Sequence, residues 1–194
     1  MRLTLDTNCL IDIADKRERA PYVEALRAAA EEGRVLISLV ASSASEKQQS
    51  GDFLSSMGRF KERVAALGFG DSLLLPSIAR FDVSFFEHGL HCDNQMLERE
   101  HKIYRVLFPT SPPEWADYAK EKGHMRDDRH GKGYFRWRNQ LLDAQAFWAH
   151  EHASQDIFVT SDARFKVLEG HRDFPTAVVK EAREVVEMIG PAIK

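Results

Sequence analysis

The chain has 194 residues and a mass of 22.1 kDa, enough for one domain or for a compact domain with an insertion. Its 27 Lys and Arg residues against 30 Asp and Glu give a formal net charge of −3, which argues against binding of nucleic acid by bulk positive charge. A local basic patch is still compatible with this balance. Cys9 and Cys92 cannot build a disulfide-rich secreted scaffold, and neither a signal peptide nor a membrane span is recognisable, so we expect a cytoplasmic protein.

The first 50 residues alternate between strand and helix signals. Arg2–Leu5 is a short strand-like run, and Asp6–Asn8 is typical of a turn or a helix cap. An amphipathic helix is predicted over Glu18–Glu32. The mostly apolar run Val35–Val40 predicts a strand covered on both faces, and the serines after it offer N-caps for a helix through Glu46.

The C-terminal third repeats this alternation. A long helix is predicted over Tyr134–His152, a strand over Asp156–Thr160 and another strand over Thr176–Val179. A final amphipathic helix presents one apolar stripe, formed by Ala182, Val185, Val186 and Ile189. Alternation of this kind predicts an α/β fold around a mainly parallel sheet.

The middle of the chain, roughly residues 51–133, does not follow the alternation. It contains a helix candidate ending near Leu67, a stretch with Gly and Pro over 68–86, and a polar helical segment over Asn94–Leu107. We therefore expect a single domain over residues 1–194. Its core would span about 1–50 and 134–194, with a largely helical elaboration between them.

Four acidic residues stand at strand ends or early in helices. Asp6 ends the first strand, Glu46 follows the second strand, Asp143 interrupts an apolar helical run and Asp162 follows the strand over 156–160. In an open parallel sheet, ligands bind beyond the carboxyl ends of the strands. We therefore expect these four side chains to lie near one another.

Clustered carboxylates need a compensating charge or shared protons. Two of them about 4 Å apart repel by about 4 kcal/mol at an effective dielectric of about 20. Oxygen-only clusters suit Mg²⁺ or Mn²⁺, which activate water and neutralise charge on a phosphate. Each acid also has a simpler interpretation: Asp6 and Asp162 as caps, Glu46 as a solvated helix residue and Asp143 as a half-exposed helix position.

Four segments resemble the motifs of the PIN-domain nucleases, in the order expected for that family. These segments are LTLDTNCLID, ISLVASSASEKQ, LLDAQAFWAHEH and DIFVTSDARF, and the match covers about the first 48 and the last 60 residues. The resemblance implies a three-layer α/β/α sandwich and cleavage of phosphodiesters, usually in RNA. It implies Mg²⁺ or Mn²⁺ bound by Asp6, Glu46, Asp143 and Asp162, with support from Asn8, Thr160 and Ser161.

Many small members of that family are toxins of toxin–antitoxin pairs and are typically dimeric. The resemblance therefore makes an antitoxin protein and a second copy of this chain candidate partners, besides an RNA substrate. The long middle segment departs from the compact members, because Glu46 and Asp143 lie much farther apart in this sequence. This difference bears on the toxin assignment more than on the nuclease assignment.

A basic segment, KEKGHMRDDRHGKGYFRWRNQ, leads into the helix that carries Asp143. Positive side chains track phosphate backbones, and aromatic rings can stack on exposed bases. The predicted RNA contacts are Arg126, Arg129, Lys132, Arg136 and Arg138. The alternative is a solvated helix with an aromatic core stripe. The run His88-Gly-Leu-His91-Cys92 lacks the further ligands that a zinc site needs.

These observations together predict a metal-dependent endoribonuclease, of the toxin type if the resemblance extends that far. Two alternatives from other classes stay open. One is a non-catalytic RNA-binding or interaction module on the same fold, and the other is a metal-dependent DNA nuclease or phosphatase.

Overall fold

A five-stranded parallel sheet forms the centre of the protein. The computed structural model describes residues 1–45, 56–80, 83 and 89–190. The strands of the sheet are β1 (Arg2–Leu5), β2 (Leu36–Val40), β3 (Leu73–Leu75), β6 (Ile157–Val159) and β7 (Val179–Lys180). The two remaining strands, β4 (Ser77–Ile78) and β5 (Gly89–Leu90), form a separate parallel pair. The order in the sheet is β3-β2-β1-β6-β7. Leu5 on the central strand therefore pairs with Leu39 on one side and Val159 on the other.

Helices cover both faces of this sheet, which gives the three-layer α/β/α sandwich expected from the resemblance. The helices are α1 (Thr7–Ala14), α2 (Ala20–Glu31), α3 (Met57–Ala66), α4 (Asn94–Leu107), α5 (Trp115–Lys122), α6 (Lys132–His152) and α7 (Ala182–Ile189). Side chains alternate across a strand, so Leu39 packs into one core with α2, α3 and α7, whereas Val40 packs into the other with α4, α5 and α6. Within the described ranges, no helix is long and apolar enough to cross a membrane.

The structure confirms some of the predicted element boundaries and differs from others. The helix over Asn94–Leu107 has the predicted bounds, and α6 begins two residues earlier than predicted. The strand predicted over Thr176–Val179 was placed too early, because residues 174–177 form a turn in which Ala177 donates to the Phe174 carbonyl, 3.1 Å away. After β2, the chain forms a 3₁₀ helix over Ala41–Ser45. Glu46 lies outside the described residues.

The middle segment is partly helical, as expected, but it also contributes to the sheet. Its strand β3 pairs in parallel with β2 and forms one edge of the sheet. The sheet is therefore not confined to residues 1–50 and 134–194. The signal for β3 is a run of only three leucines after Gly70, Asp71 and Ser72, which is too short for periodicity to reveal.

A buried polar network fixes the middle segment onto α6. Glu100 on α4 is fully buried, pairs with Arg80 and accepts a hydrogen bond from Gln145 Nε2, 2.9 Å away. The same amide nitrogen donates to the carbonyl of Ile78 at 3.1 Å, and Arg80 also pairs with Glu114 at 3.2 Å. Since Gln145 lies two residues after Asp143, this network positions the helix that carries one of the predicted site acids.

Candidate active site

Three of the four predicted acids line one cavity at the carboxyl ends of β1 and β6. This carboxylate cavity has a volume of about 370 Å³ and includes Asp6, Asp143 and Asp162 in its wall. Its other lining residues are Asn8, Arg136, Asn139, Gln140 and Arg164. The strand-end rule and the positions of the acids in the sequence thus correctly predict where these three side chains meet.

Asp6 is held in place by three hydrogen bonds. Its Oδ1 accepts from the backbone N–H of Thr7 at 2.8 Å, which makes Asp6 the N-cap of α1. Its Oδ2 accepts from Asn8 Nδ2 at 2.9 Å and from Thr160 Oγ1 at 2.6 Å. Burial raises the pKa of Asp6, and these hydrogen bonds oppose that rise. The capping interpretation is therefore correct, and the same carboxylate also faces the cavity.

The residues that the resemblance assigns to support have different surroundings. Asn8 and Thr160 both donate to Asp6, and Thr160 Oγ1 also accepts from the backbone N–H of Asp162 at 3.0 Å. Thr160 therefore couples the ends of β1 and β6. For Ser161, no side-chain hydrogen bond is found within the part of the chain that the structure describes.

Asp143 reaches the cavity from the middle of α6. Burial, and to a smaller extent the negative charges of Asp6 and Asp162, raise the pKa of Asp143, while Arg164 lowers it. The net result is a pKa of about 8. Without a metal, the carboxyl of Asp143 therefore holds its proton to a higher pH than an ordinary aspartate does. A divalent cation close to this group would displace that proton.

Arg164 supplies a positive charge inside the carboxylate cavity. Its Nη2 lies 3.2 Å from Asp143 Oδ2, and its Nε lies 2.8 Å from Asp162 Oδ2. Burial raises the pKa of Asp162, but the hydrogen bonds from Arg164 outweigh it and leave that pKa below its ordinary value. One guanidinium thus links two of the three acids.

The donor set suits a hard cation in its chemistry. Asp6, Asp143 and Asp162 offer carboxylate oxygens and Asn8 offers an amide oxygen, the ligand types that Mg²⁺ and Mn²⁺ prefer. Among the described residues, however, no three His, Cys, Asp or Glu side chains are grouped closely enough to hold a metal ion. Binding of one ion by all three carboxylates would therefore require these side chains to move closer together. Arg164, which contacts two of them, would also have to give way.

The predicted RNA contacts lie in different environments. Arg126 and Arg129 lie in an exposed loop, and Lys132 begins α6. Arg136, one turn later, lines the carboxylate cavity. Arg138 instead donates from Nη2 to the carbonyl of Val83 at 2.8 Å, so its guanidinium has a structural contact.

The aromatic residues of the basic segment divide in the same way. Tyr134 and Trp137 are buried beside Trp115, with ring centroids 5.1 and 5.8 Å from that indole. For these two rings, the core-stripe interpretation is correct. Of the segment with His88, His91 and Cys92, only the last two lie among the described residues.

Arg164 is the site residue that sequence reasoning missed. It lies two positions after Asp162 and its backbone N–H donates to Asp162 Oδ1 at 2.9 Å, because Asp162 caps the 3₁₀ helix Ala163–Leu168. The sequence signal that could have revealed Arg164 is its position in the first turn after the capping acid Asp162, where the two side chains can contact each other.

No family model matches the chain, and no curated protein matches it at a significant level.

Proposed function

We propose that the protein is a metal-dependent endoribonuclease of the PIN-domain type. The observation that carries this proposal is the meeting of Asp6, Asp143 and Asp162 in one cavity at the carboxyl edge of a parallel sheet. These residues come from separate parts of the chain, and the pKa of Asp143 is raised to about 8 by burial and by its acidic neighbours. Such a concentration of carboxylates is costly without a cation, and it is typical of sites that bind one.

In this proposal, Asp6, Asp143 and Asp162 hold Mg²⁺ or Mn²⁺, and the resemblance adds Glu46. A bound divalent ion supplies charge neutralisation at the phosphate and activation of a water molecule. Asp6 is oriented for this role by Thr160 and Asn8. Asp143 gives up its proton when the cation binds.

A basic side chain at the cavity supports an anionic substrate. Arg136 is exposed at the rim of the carboxylate cavity, where its charge attracts a phosphate toward the acids. A polyanion is therefore drawn to a site whose own acids would otherwise repel it. An antitoxin protein, a second copy of the chain and a cytoplasmic location belong to the proposal only through the resemblance and the composition.

The test is cleavage of a defined single-stranded RNA and of a DNA of the same sequence, with Mg²⁺ or Mn²⁺ added. We expect RNA cleavage by the wild type, at least about a hundredfold slower cleavage by Asp6→Asn, and weaker Mn²⁺ binding by that variant. Asp71→Asn is the matched control, because Asp71 is exposed and lines neither the carboxylate cavity nor a cavity next to it. Equal cleavage by wild type and Asp6→Asn contradicts the proposal.

One observation favours a second candidate, a non-catalytic RNA-binding module. Arg164 already neutralises Asp162 and contacts Asp143, as a cation would in a degenerate site. RNA binding by the wild type without cleavage in Mg²⁺ or Mn²⁺ would support this candidate and overturn the nuclease proposal. Cleavage of DNA but not of RNA would assign the site to a DNA nuclease.

A further inference from the structure

A second cavity adjoins the carboxylate cavity and is basic instead of acidic. This basic cavity has a volume of about 480 Å³ and shares Arg136 and Gln140 with its neighbour. It lies between α5, α6 and the turn near Thr110. The residues used below are Tyr118, Lys122, His124, Lys132, Gly133 and Arg136. Its volume is within the range of small-molecule sites, which is about 300–1,000 Å³.

The charges that line the basic cavity are available to an anion. Lys122, Lys132 and Arg136 contribute to its wall, and no acidic side chain lines it among the described residues. In the described part of the chain, Lys132 and Arg136 make no hydrogen bond or ion pair with their side chains. Lys122 donates to the Thr110 carbonyl at 3.2 Å and pairs with Glu121 at 2.6 Å. Both partners of the Lys122–Glu121 pair are exposed, and such pairs contribute little to stability. Lys122 can therefore leave Glu121 and bind another anion.

Aromatic rings lie beside these cations. The ring of His124 is nearly parallel to that of Tyr118, with an interplanar angle of 10° and centroids 6.2 Å apart. His124 also lies directly against the start of α6, since a Cβ atom at Gly133 would clash with His124 Nε2. Glycine at this position therefore allows the imidazole to form part of the cavity wall. Rings next to positive side chains are the usual means of binding unpaired nucleotides.

We propose that the basic cavity is a subsite for the nucleotide next to the scissile phosphate of a single-stranded RNA. Lys122 and Lys132 bind its backbone phosphate, and the exposed ring of His124, backed by the buried ring of Tyr118, packs against its base. Arg136 stands at the border, where it contacts the phosphate that enters the carboxylate cavity. This inference rests on the proposed function, which places the scissile phosphate in the carboxylate cavity. Because the two cavities share a wall, they would hold consecutive nucleotides of one RNA strand.

The test is the affinity of the full chain for a short, labelled single-stranded RNA, measured by fluorescence anisotropy with a chelator present. We expect Lys122→Gln/Lys132→Gln to bind about tenfold more weakly than the wild type at moderate salt. We also expect the slope of log affinity against log salt to become shallower by about 0.7, because the two lysines bind one phosphate and each phosphate neutralised on a single strand contributes about 0.7. Lys61→Gln/Lys102→Gln is the matched control, since both lysines are exposed and line neither cavity.

Different outcomes separate this inference from the proposed function. Wild-type affinity and salt slope in Lys122→Gln/Lys132→Gln would overturn the subsite, even if the wild type cleaves RNA. Weaker binding by that variant, together with no metal-dependent cleavage by the wild type, would support the subsite and overturn the nuclease. Duplex RNA of the same sequence should bind more weakly than the single strand, and tighter binding of the duplex would overturn the role of the His124 ring.

Discussion

Arg164 Nη2 lies 3.2 Å from Asp143 Oδ2, so this pair of side chains spans the carboxylate cavity. Arg164 follows β6, whereas Asp143 belongs to α6, so the pair joins two separate elements around the site. The same guanidinium binds Asp162. The protein thus places its own cation where the acids would otherwise repel one another, and any metal ion has to compete with it.

This relationship predicts opposite shifts of the Asp143 pKa in two variants. In the metal-free protein, Arg164→Gln should raise that pKa above its value of about 8, because it removes a neighbouring positive charge. Asp6→Asn should lower it, because it removes a neighbouring negative charge. Carboxyl ¹³C chemical shifts measured against pH report both changes. Arg183→Gln, which alters an exposed pair on α7, should leave the titration unchanged, and equal titrations in all variants would refute the electrostatic account.

Metal affinity should depend on pH. Below its pKa of about 8, Asp143 holds a proton that a divalent ion must displace, so the apparent Mn²⁺ affinity should rise as the pH is raised from 6 to 8. The rise should be at most about tenfold per pH unit. Calorimetric titrations at several pH values measure it. In Asp143→Asn, this part of the pH dependence should disappear, and an unchanged slope in that variant would show that the displaced proton comes from another group.

The free energy of unfolding should depend on pH through the buried neutral side chain of His150. His150 lies in the core against the sheet, with Nδ1 3.0 Å from Thr4 Oγ1, and burial lowers its pKa to about 4. Its ordinary pKa is about 6.5 in the unfolded chain, so below that pH the unfolded state gains a proton that the native state does not. The free energy of unfolding should therefore fall as the pH drops from 6.5 toward 4, by up to about 1.4 kcal/mol per unit.

Comparison with His150→Asn isolates this contribution, because Asp143 makes an opposing one that is present in both proteins. Urea unfolding at several pH values should show a flatter acid limb in His150→Asn than in the wild type. His130→Asn, in an exposed loop, is the control and should follow the wild type. Parallel wild-type and His150→Asn curves would be inconsistent with a buried neutral imidazole.

The buried network under α6 should be sensitive to loss of one partner. Arg80→Met leaves the fully buried Glu100 without its cation and should lower the free energy of unfolding by about 3 kcal/mol. Adding Glu100→Gln removes the uncompensated charge while keeping an acceptor for Gln145, so the double variant should recover part of the loss. Arg183→Ala breaks an exposed pair and should change stability by no more than about 0.5 kcal/mol. A double variant no more stable than Arg80→Met would contradict this explanation.

Local signals in the sequence were sufficient for much of the fold and for three of the site acids. Arg2–Leu5 has the predicted bounds because this short strand ends directly before the capping residue Asp6. Asn94–Leu107 has the predicted bounds, and the Asp93 side chain caps its start. Asp6 and Asp162 could be placed because each follows a buried strand, and Asp143 because it interrupts an apolar helix. Glu46 stays a prediction, since it lies outside the described residues.

The features that escaped prediction depend on contacts between distant segments. In the sequence, Glu100 and Gln145 look like ordinary polar residues of two helices. They become buried beside Arg80 only when α4 packs on α6. The basic cavity was not foreseen because α5 was not predicted, and its Lys122 and His124 come next to Lys132 only when α5 packs on α6. Contacts between helices that are distant in the chain are set by the tertiary structure, and no periodic pattern in the sequence indicates them.

The central claim is that the carboxylate cavity is a divalent metal site. The most direct measurement is the position of Mn²⁺ by anomalous diffraction from crystals grown at saturating Mn²⁺. The account predicts an anomalous peak in contact with the carboxylates of Asp6, Asp143 and Asp162, with the guanidinium of Arg164 displaced from Asp143. Absence of such a peak at saturating Mn²⁺, with the Arg164–Asp143 pair intact, would contradict it.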